Sequence, residues 1–103
     1  MKKAEREYLD KVAALGCLIC GNHADIHHVR QGMGMAQRAP HIGGTIPLCK
    51  LHHQDGGFGV AIHAGQKTFE RRHGTEQEML DRVKNLLIAE ELKQTINRCI
   101  LPF

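Results

Sequence analysis

Two short pairs of potential ligands constrain this chain more than any other feature: Cys17-x-x-Cys20 and, further along, Cys49-x-x-His52. Each pair can bind one metal ion from a tight turn, and four thiolate and imidazole ligands in two pairs are what tetrahedral Zn²⁺ requires. The pairs are separated by 28 residues, 21 to 48, so a shared ion would close a long loop. The spacing therefore predicts a structural zinc site, and His53 is an alternative to His52 as its fourth ligand.

A structural metal suits a chain of this size. The 103 residues are enough for one compact domain, and we expect a single domain over residues 1–103. Aromatic residues are only 4% and Trp is absent, so the core depends on aliphatic side chains, and small domains often need a metal or a disulfide. The alternative interpretation of Cys17 and Cys20 is a redox or simply buried pair, but a thioredoxin-like pair needs a βαβ context, which the sequence lacks. Cys99 is far from the other cysteines in sequence and is interpreted as a buried or idle thiol.

Charge and hydropathy bear on the binding partners and on the cellular compartment of the protein. The formal net charge of +3 permits nucleic-acid binding without requiring it. The first 16 residues, MKKAEREYLDKVAALG, lack the apolar segment of a signal peptide. No apolar run approaches the roughly 20 residues of a membrane span. We therefore expect a cytoplasmic protein with no membrane partner, whose cysteines stay reduced and available to a metal.

The hydrophobic pattern predicts an α+β fold. Residues 3–15 are predicted to form a helix that ends at Gly16, because Tyr8, Val12 and Leu15 recur at helical spacing between charged residues. A glycine-rich loop is expected over residues 30–44. The other expected elements before the C-terminal helix are strands at 26–29 and 45–48, a helical turn at 51–54 and a helix at 66–73 that ends at Gly74.

The C-terminal helix has the clearest start. Thr75 and Glu78 have the spacing of a capping box, in which each side chain bonds the backbone amide of the other residue. We expect the helix to cover residues 75–98. One apolar stripe is predicted on it, available to the domain or to a second copy of the chain, and consists of Met79, Leu80, Val83, Leu86, Leu87 and Ile96.

Two histidine doublets, His27-His28 and His52-His53, lie within eight residues of Cys20 and Cys49 respectively. If those cysteines share an ion, the doublets are brought side by side. One imidazole could then bind a catalytic metal while a neighbouring neutral imidazole takes a proton from an attacking water. Adjacent residues on a regular strand face opposite sides, so His27 and His28 can hold separate roles only if the strand bends or one side chain reaches round.

Together, Cys17-x-x-Cys20, His27-His28-Val29 and Ile46-Pro47-Leu48-Cys49-x-x-His52-His53 resemble the motif of the HNH endonucleases. The chain is similar to small phage and prophage HNH proteins and to the nuclease domain of Ref, a RecA-dependent nuclease. The Gly-Met-Gly stretch of residues 32–38 and the segment 59–63 add to the likeness, which covers roughly residues 8–82.

The resemblance implies a fold and an activity. It implies a zinc-stapled ββα-metal core over about residues 17–74 with flanking N- and C-terminal helices. It implies a metal-dependent DNA endonuclease that hydrolyses phosphodiester bonds in recombination or DNA processing, encoded by a phage or prophage and acting in the host cytoplasm. DNA is then the main partner, and a recombination protein is a second candidate.

The resemblance also implies residue roles. His28 lies at the position of the general base. The ligands of a catalytic divalent cation (Mg²⁺, Mn²⁺, Ni²⁺ or Zn²⁺) would be His27, His53 and His63. The structural zinc ligands would be Cys17, Cys20, Cys49 and His52.

The sequence departs from the family at one position. HNH enzymes often have an Asn before the Leu-Cys segment, where it helps orient the base, and the nearest residues here are Gly44 and Thr45. Either a backbone carbonyl or His41 is expected to orient His28 instead.

Basic residues near the motif are candidates for DNA phosphate contacts, which confer affinity with little sequence preference. The candidates are Arg30, Arg38 and Lys50, whereas Arg71 and Arg72 could equally be solvated residues of a helix. Two alternatives to a nuclease remain. A non-catalytic zinc-stapled module that binds DNA or protein needs the four zinc ligands but not the other four histidines, and a degenerate nuclease would keep the fold but lack the orienting Asn.

Overall fold

The structure is a computed structural model that describes residues 1–29 and 39–100, with side chains described as far as Arg98. The Gly-Met-Gly stretch and the predicted DNA contacts Arg30 and Arg38 lie outside the described residues. The fold is α+β. Its elements are helix α1 (Lys3–Ala14), strand β1 (Asp25–His28), strand β2 (Thr45–Leu48), a π-helical turn (Leu51–Asp55), a 3₁₀ turn (Ile62–Ala64), helix α2 (Gln66–His73) and helix α3 (Glu76–Ile100).

Strands β1 and β2 form a two-stranded antiparallel sheet, close to the predicted bounds. In its register, His27 lies opposite Ile46 and Ile26 lies opposite Pro47. Proline is tolerated here because each strand of a two-stranded sheet has an outer edge, where no ladder hydrogen bond is needed. The Pro47 carbonyl accepts a hydrogen bond from the backbone N–H of Leu18 (3.1 Å), which ties the segment after α1 to the sheet.

The core lies between the sheet and the helices and is mainly aliphatic, as the composition predicts. Helix α1 contributes Val12, which is fully buried. The aromatic residue at its centre is Phe69 of α2, which is also fully buried. The other large apolar side chains with 2% or less exposure are Ile46, Leu48, Ile62, Met79 and Val83.

Helix α3 begins as predicted and buries only part of its predicted stripe. Glu78 donates its backbone N–H to Thr75 Oγ1 (3.1 Å), and Thr75 donates its N–H to Glu78 Oε1 (3.1 Å), which confirms the capping box. Met79 and Val83 of the predicted stripe are buried, whereas Leu86 and Ile96 are 42% and 48% exposed. At about 1.5 Å per residue this 25-residue helix is about 38 Å long, and the described part of the chain leaves Ile88, Leu92 and Ile96 of its later turns exposed.

Within the described residues, no helix has both the length and the apolar character needed to cross a membrane.

Candidate functional site

The four predicted zinc ligands converge in space. Gly16, whose φ of +79° suits glycine, turns the chain out of α1 and leads into the turn that carries Cys17 and Cys20. Cys49 follows β2 directly, and His52 lies in the π-helical turn after it. One ligand atom from each of these four residues lies within 4.8 Å of the others.

The spacing of these atoms fits a tetrahedral ion. Cys20 Sγ and Cys49 Sγ are 3.6 Å apart, and His52 Nδ1 is 3.2 Å from Cys49 Sγ and 3.7 Å from Cys17 Sγ. With Zn–S and Zn–N bonds of about 2.3 and 2.0–2.1 Å, the edges of a ligand tetrahedron are about 3.3–3.8 Å. Burial acts to raise the pKa of Cys17, but hydrogen bonds from surrounding backbone amides, including that of Ile19 (3.4 Å), hold it below 9.0 and favour the thiolate. This cluster of three cysteines and one histidine could therefore bind a metal ion such as zinc.

The π-helical turn directs His52 and His53, the two alternative candidates for the fourth zinc ligand, to different sides. His53 is 8% exposed and points away from the cysteines, whereas His52 is directed at them. The turn keeps the hydrogen bond from His53 N to Cys49 O (2.8 Å) but closes a wider ring from Gly56 N to Leu51 O (2.9 Å). Wide turns of this kind are frequent at functional sites. The ambiguity is thereby resolved in favour of His52 in the cysteine cluster.

A second cluster consists of His27, His53 and His63, the three histidines that the resemblance assigns to a catalytic cation. One ligand atom of each lies within 4.8 Å of the other two. His53 Nε2 and His63 Nε2 are 2.9 Å apart, and the ring centroid of His27 is 5.1 Å from that of His53 and 5.0 Å from that of His63. His27 is buried and His63 is exposed, so the cluster has an inner wall and a solvent-facing side.

The three-histidine cluster contains features that suit a cation. Nδ1 of His27 is buried and has no hydrogen-bond partner among the described residues, which is costly for a polar atom unless something else binds it. Burial, followed by the nearby charges of His27 and His63, lowers the pKa of His53 from 6.5 to about 4. The imidazole of His53 is therefore neutral near pH 7, the state that a metal ligand requires.

Glu76 completes the inner wall and was missed by the sequence interpretation. It is fully buried at the start of α3, and its Oε2 lies 2.7 Å from His27 Nε2. Its Oε1 accepts a hydrogen bond from Gln66 Nε2 (3.0 Å). In sequence, Glu76 looks like an ordinary acidic residue in the first turn of a helix, where such residues are common, so its contact with a residue 49 positions earlier could not be read from the pattern.

His28, the predicted general base, is half-buried beside His41. His28 Nε2 and His41 Nδ1 are 2.9 Å apart, so His41, one of the two expected orienting groups, contacts His28. Thr45, one of the two residues nearest the position of the absent Asn, donates its hydroxyl to the backbone carbonyl of His41 (3.0 Å) and holds the turn that carries it. Gly44 is required in that turn, because a Cβ there would lie 2.4 Å from Ala39 Cβ.

The described basic residues near the clusters have different environments. Lys50 is exposed between Cys49 and the π-helical turn, in a position open to a phosphate. Arg71 is also exposed on α2. Arg72 donates to the Gly59 carbonyl (3.0 Å), so it has a structural role in holding the turn before the 3₁₀ segment.

Comparison with known proteins yields one family. No curated protein and no solved structure matches the chain at a significant level. A family model described as "Protein of unknown function (DUF968)" matches residues 1–89. Because that match covers most of the 103 residues, the chain belongs to the DUF968 family.

Proposed function

We propose that this protein is a metal-dependent DNA endonuclease of the HNH type. One observation carries the proposal: consecutive residues of one turn, His52 and His53, contribute to two ligand clusters of different chemistry. The order of a two-stranded antiparallel sheet followed by that turn is the order expected for a ββα-metal core. A binding module stabilised by zinc would need the cluster containing His52 but has no use for the second one.

The cysteine cluster has a structural role in this proposal. Its four ligands come from the turn after α1 and from the segment after β2, so one ion would join the segment before β1 to the segment after β2 at one end of the sheet. A site in which all four positions are protein ligands leaves no position for substrate. We therefore assign zinc to Cys17, Cys20, Cys49 and His52.

The three-histidine cluster is assigned to the reaction. Three protein ligands leave coordination positions open, and the exposed edge at His63 makes them reachable from solvent. A divalent cation bound there would neutralise the charge that develops on the phosphate and the leaving oxygen. His27 lies on the buried side of the cluster and His63 on its exposed side. A DNA backbone would approach from the side of His63.

His28 is assigned to proton removal. A neutral imidazole can take the proton of the attacking water, and the contact of His28 Nε2 with His41 Nδ1 at 2.9 Å orients the ring for that step. The water oxygen bonds to phosphorus, one P–O ester bond breaks, and the products are a phosphate monoester and a hydroxyl group. His28 lies close enough to the three-histidine cluster for its charge to contribute to the lowered pKa of His53, after burial and the nearer histidines.

The experiment is nicking of supercoiled plasmid by the purified protein with Mg²⁺, Mn²⁺, Ni²⁺ or EDTA. We expect metal-dependent nicking that His28→Ala reduces by about 10²–10⁴-fold, the usual contribution of a general base. His23→Ala is the matched control, because His23 is exposed and belongs to neither cluster. Equal cutting by the wild type and His28→Ala would refute the assignment of the base. Absence of cutting by a folded wild-type protein with zinc bound would favour the non-catalytic binding module.

A further inference from the structure

The carboxylate of Glu76 is held on both of its oxygens. Oε2 lies 2.7 Å from His27 Nε2, and Oε1 accepts from the side-chain amide of Gln66 at 3.0 Å. Glu76 and His27 are 0% and 2% exposed, so water does not compete for their contact. A buried carboxylate with these partners fixes the orientation of the imidazole ring that it contacts.

Glu76 lies where a helix accommodates a carboxylate. It is the first residue of α3, where the unpaired backbone N–H groups and the helix dipole stabilise negative charge. A carboxylate can only accept hydrogen bonds, so the nitrogen of His27 that faces it must carry the hydrogen. In the neutral ring the lone pair is then on Nδ1, a buried atom that has no hydrogen-bond partner among the described residues.

We propose that Glu76 is the positioning residue of the three-histidine site, and that it fixes His27 as the Nε2–H tautomer with Nδ1 presented as the ligand atom for a divalent cation. This inference rests on the proposed function to the extent that His27, His53 and His63 are taken to bind that cation. Glu76 acts only through His27. Carboxylates that accept from a ligating imidazole in this way orient the ring and increase its basicity as a ligand.

The contact also couples helix α3 to the site. The backbone N–H of Glu76 donates to Glu70 Oε2 of α2 (3.0 Å), and the Thr75–Glu78 capping box fixes the start of the helix. The position of the Glu76 carboxylate is therefore set by the α2–α3 junction and not by the strand that carries His27. Residues of that junction which do not touch His27 can serve as controls for a purely structural effect.

The first measurement uses the unmodified protein with zinc in the cysteine cluster and no added cation. Long-range ¹H–¹⁵N correlation spectra report which ring nitrogen of each histidine is protonated. We expect the hydrogen of the His27 ring to be on Nε2. A His27 ring with hydrogen on Nδ1 would overturn the proposal without any variant having to fold.

The second measurement is calorimetric titration with Ni²⁺ alone, comparing the wild type, Glu76→Gln and Glu70→Gln. We expect Glu76→Gln to weaken Ni²⁺ binding by about 10–100-fold, the usual cost of losing such a partner. Glu70→Gln makes the same carboxylate-to-amide change at the same junction without touching His27. Its side-chain oxygen can still accept the Glu76 N–H, so this variant should bind Ni²⁺ as the wild type does. Zinc content of the cysteine cluster verifies that each variant is folded.

The outcomes separate this inference from the proposed nuclease. If Glu76→Gln binds Ni²⁺ as tightly as the wild type, or if Glu70→Gln loses as much affinity, the positioning role is wrong even when the protein nicks DNA. If the tautomer and the affinities are as expected but DNA is not cut, the positioning role stands and the nuclease proposal fails.

Discussion

Nδ1 of His52 lies 3.2 Å from Cys49 Sγ, whereas Nε2 of its neighbour His53 lies 2.9 Å from His63 Nε2, so two residues adjacent in the chain serve separate clusters. Their alanine variants should therefore fail in different ways. His52→Ala should lose zinc and unfold, because structural zinc binds with about 10–16 kcal/mol, comparable to the whole stability of a small domain. His53→Ala should keep its zinc and its fold but lose Ni²⁺ binding and DNA nicking.

Zinc content by atomic emission, circular dichroism and Ni²⁺ titration distinguish the two variants. His23→Ala, an exposed histidine outside both clusters, should resemble the wild type in all three. Loss of zinc from His53→Ala with retention in His52→Ala would reverse the assignment of the two histidines.

The stability of the protein without a cation at the three histidines should fall in mild acid. The pKa of His53 is about 4 in the folded state, lowered mainly by burial, against 6.5 for an ordinary histidine. Below pH 6.5 the unfolded chain binds a proton at this residue that the folded chain excludes until about pH 4. The contribution of neutral His53 to the free energy of unfolding is therefore fully present above pH 6.5. It decreases as the pH falls to about 4, by at most about 3 kcal/mol.

Urea unfolding at a series of pH values between 4 and 7 measures this dependence. Zinc loss from protonated thiols also destabilises the fold in acid, so the useful quantity is the difference between the wild type and His53→Gln. The variant should have a shallower dependence over the same range, and identical profiles would contradict a depressed pKa at His53.

His41 should matter for the rate of cutting but not for metal binding. Its Nδ1 lies 2.9 Å from His28 Nε2, and it belongs to neither ligand cluster. His41→Ala leaves His28 present but without this partner, so nicking should slow by less than the about 10²–10⁴-fold expected for loss of the base itself. Single-turnover nicking rates, with zinc content and Ni²⁺ affinity unchanged, test this.

The neighbouring substitution Ile42→Ala is the control for His41→Ala, since Ile42 is 49% exposed on the same turn. An unchanged rate in His41→Ala would mean that another group orients His28. A parallel loss of Ni²⁺ affinity would mean that the turn supports the metal site directly.

Two substitutions on α3 should differ sharply in their effect on stability. Met79 is fully buried against the core, so Met79→Ala should cost about 2–5 kcal/mol. Leu92 is 55% exposed three turns later, so Leu92→Ala should change the free energy of unfolding by no more than about 0.5 kcal/mol. Urea unfolding of the monomer measures both, and a large effect at Leu92 would show that the later turns of α3 are covered in solution.

Much of the local structure was predictable from the sequence. The helices α1 and α2, the capping box at Thr75 and the two strands follow from spacing and capping over fewer than about fifteen residues each. The helical periodicity of α3 was also correct. The extent of its burial could not be predicted, because periodicity reports which residues share a face and says nothing about how far the core extends beneath that face.

The chain's own spacing determined the two ligand pairs, since a C-x-x-C turn and a C-x-x-H turn bring their ligands together whatever the rest of the molecule does. Tertiary structure decided the contacts between distant segments. It directed His52 to the cysteines and His53 to His27 and His63, and it brought His41 to His28 across the sheet end. It also placed Glu76 on His27 across 49 residues. Such contacts depend on how helices and strands pack, and packing is a property of the whole folded chain that no local pattern records.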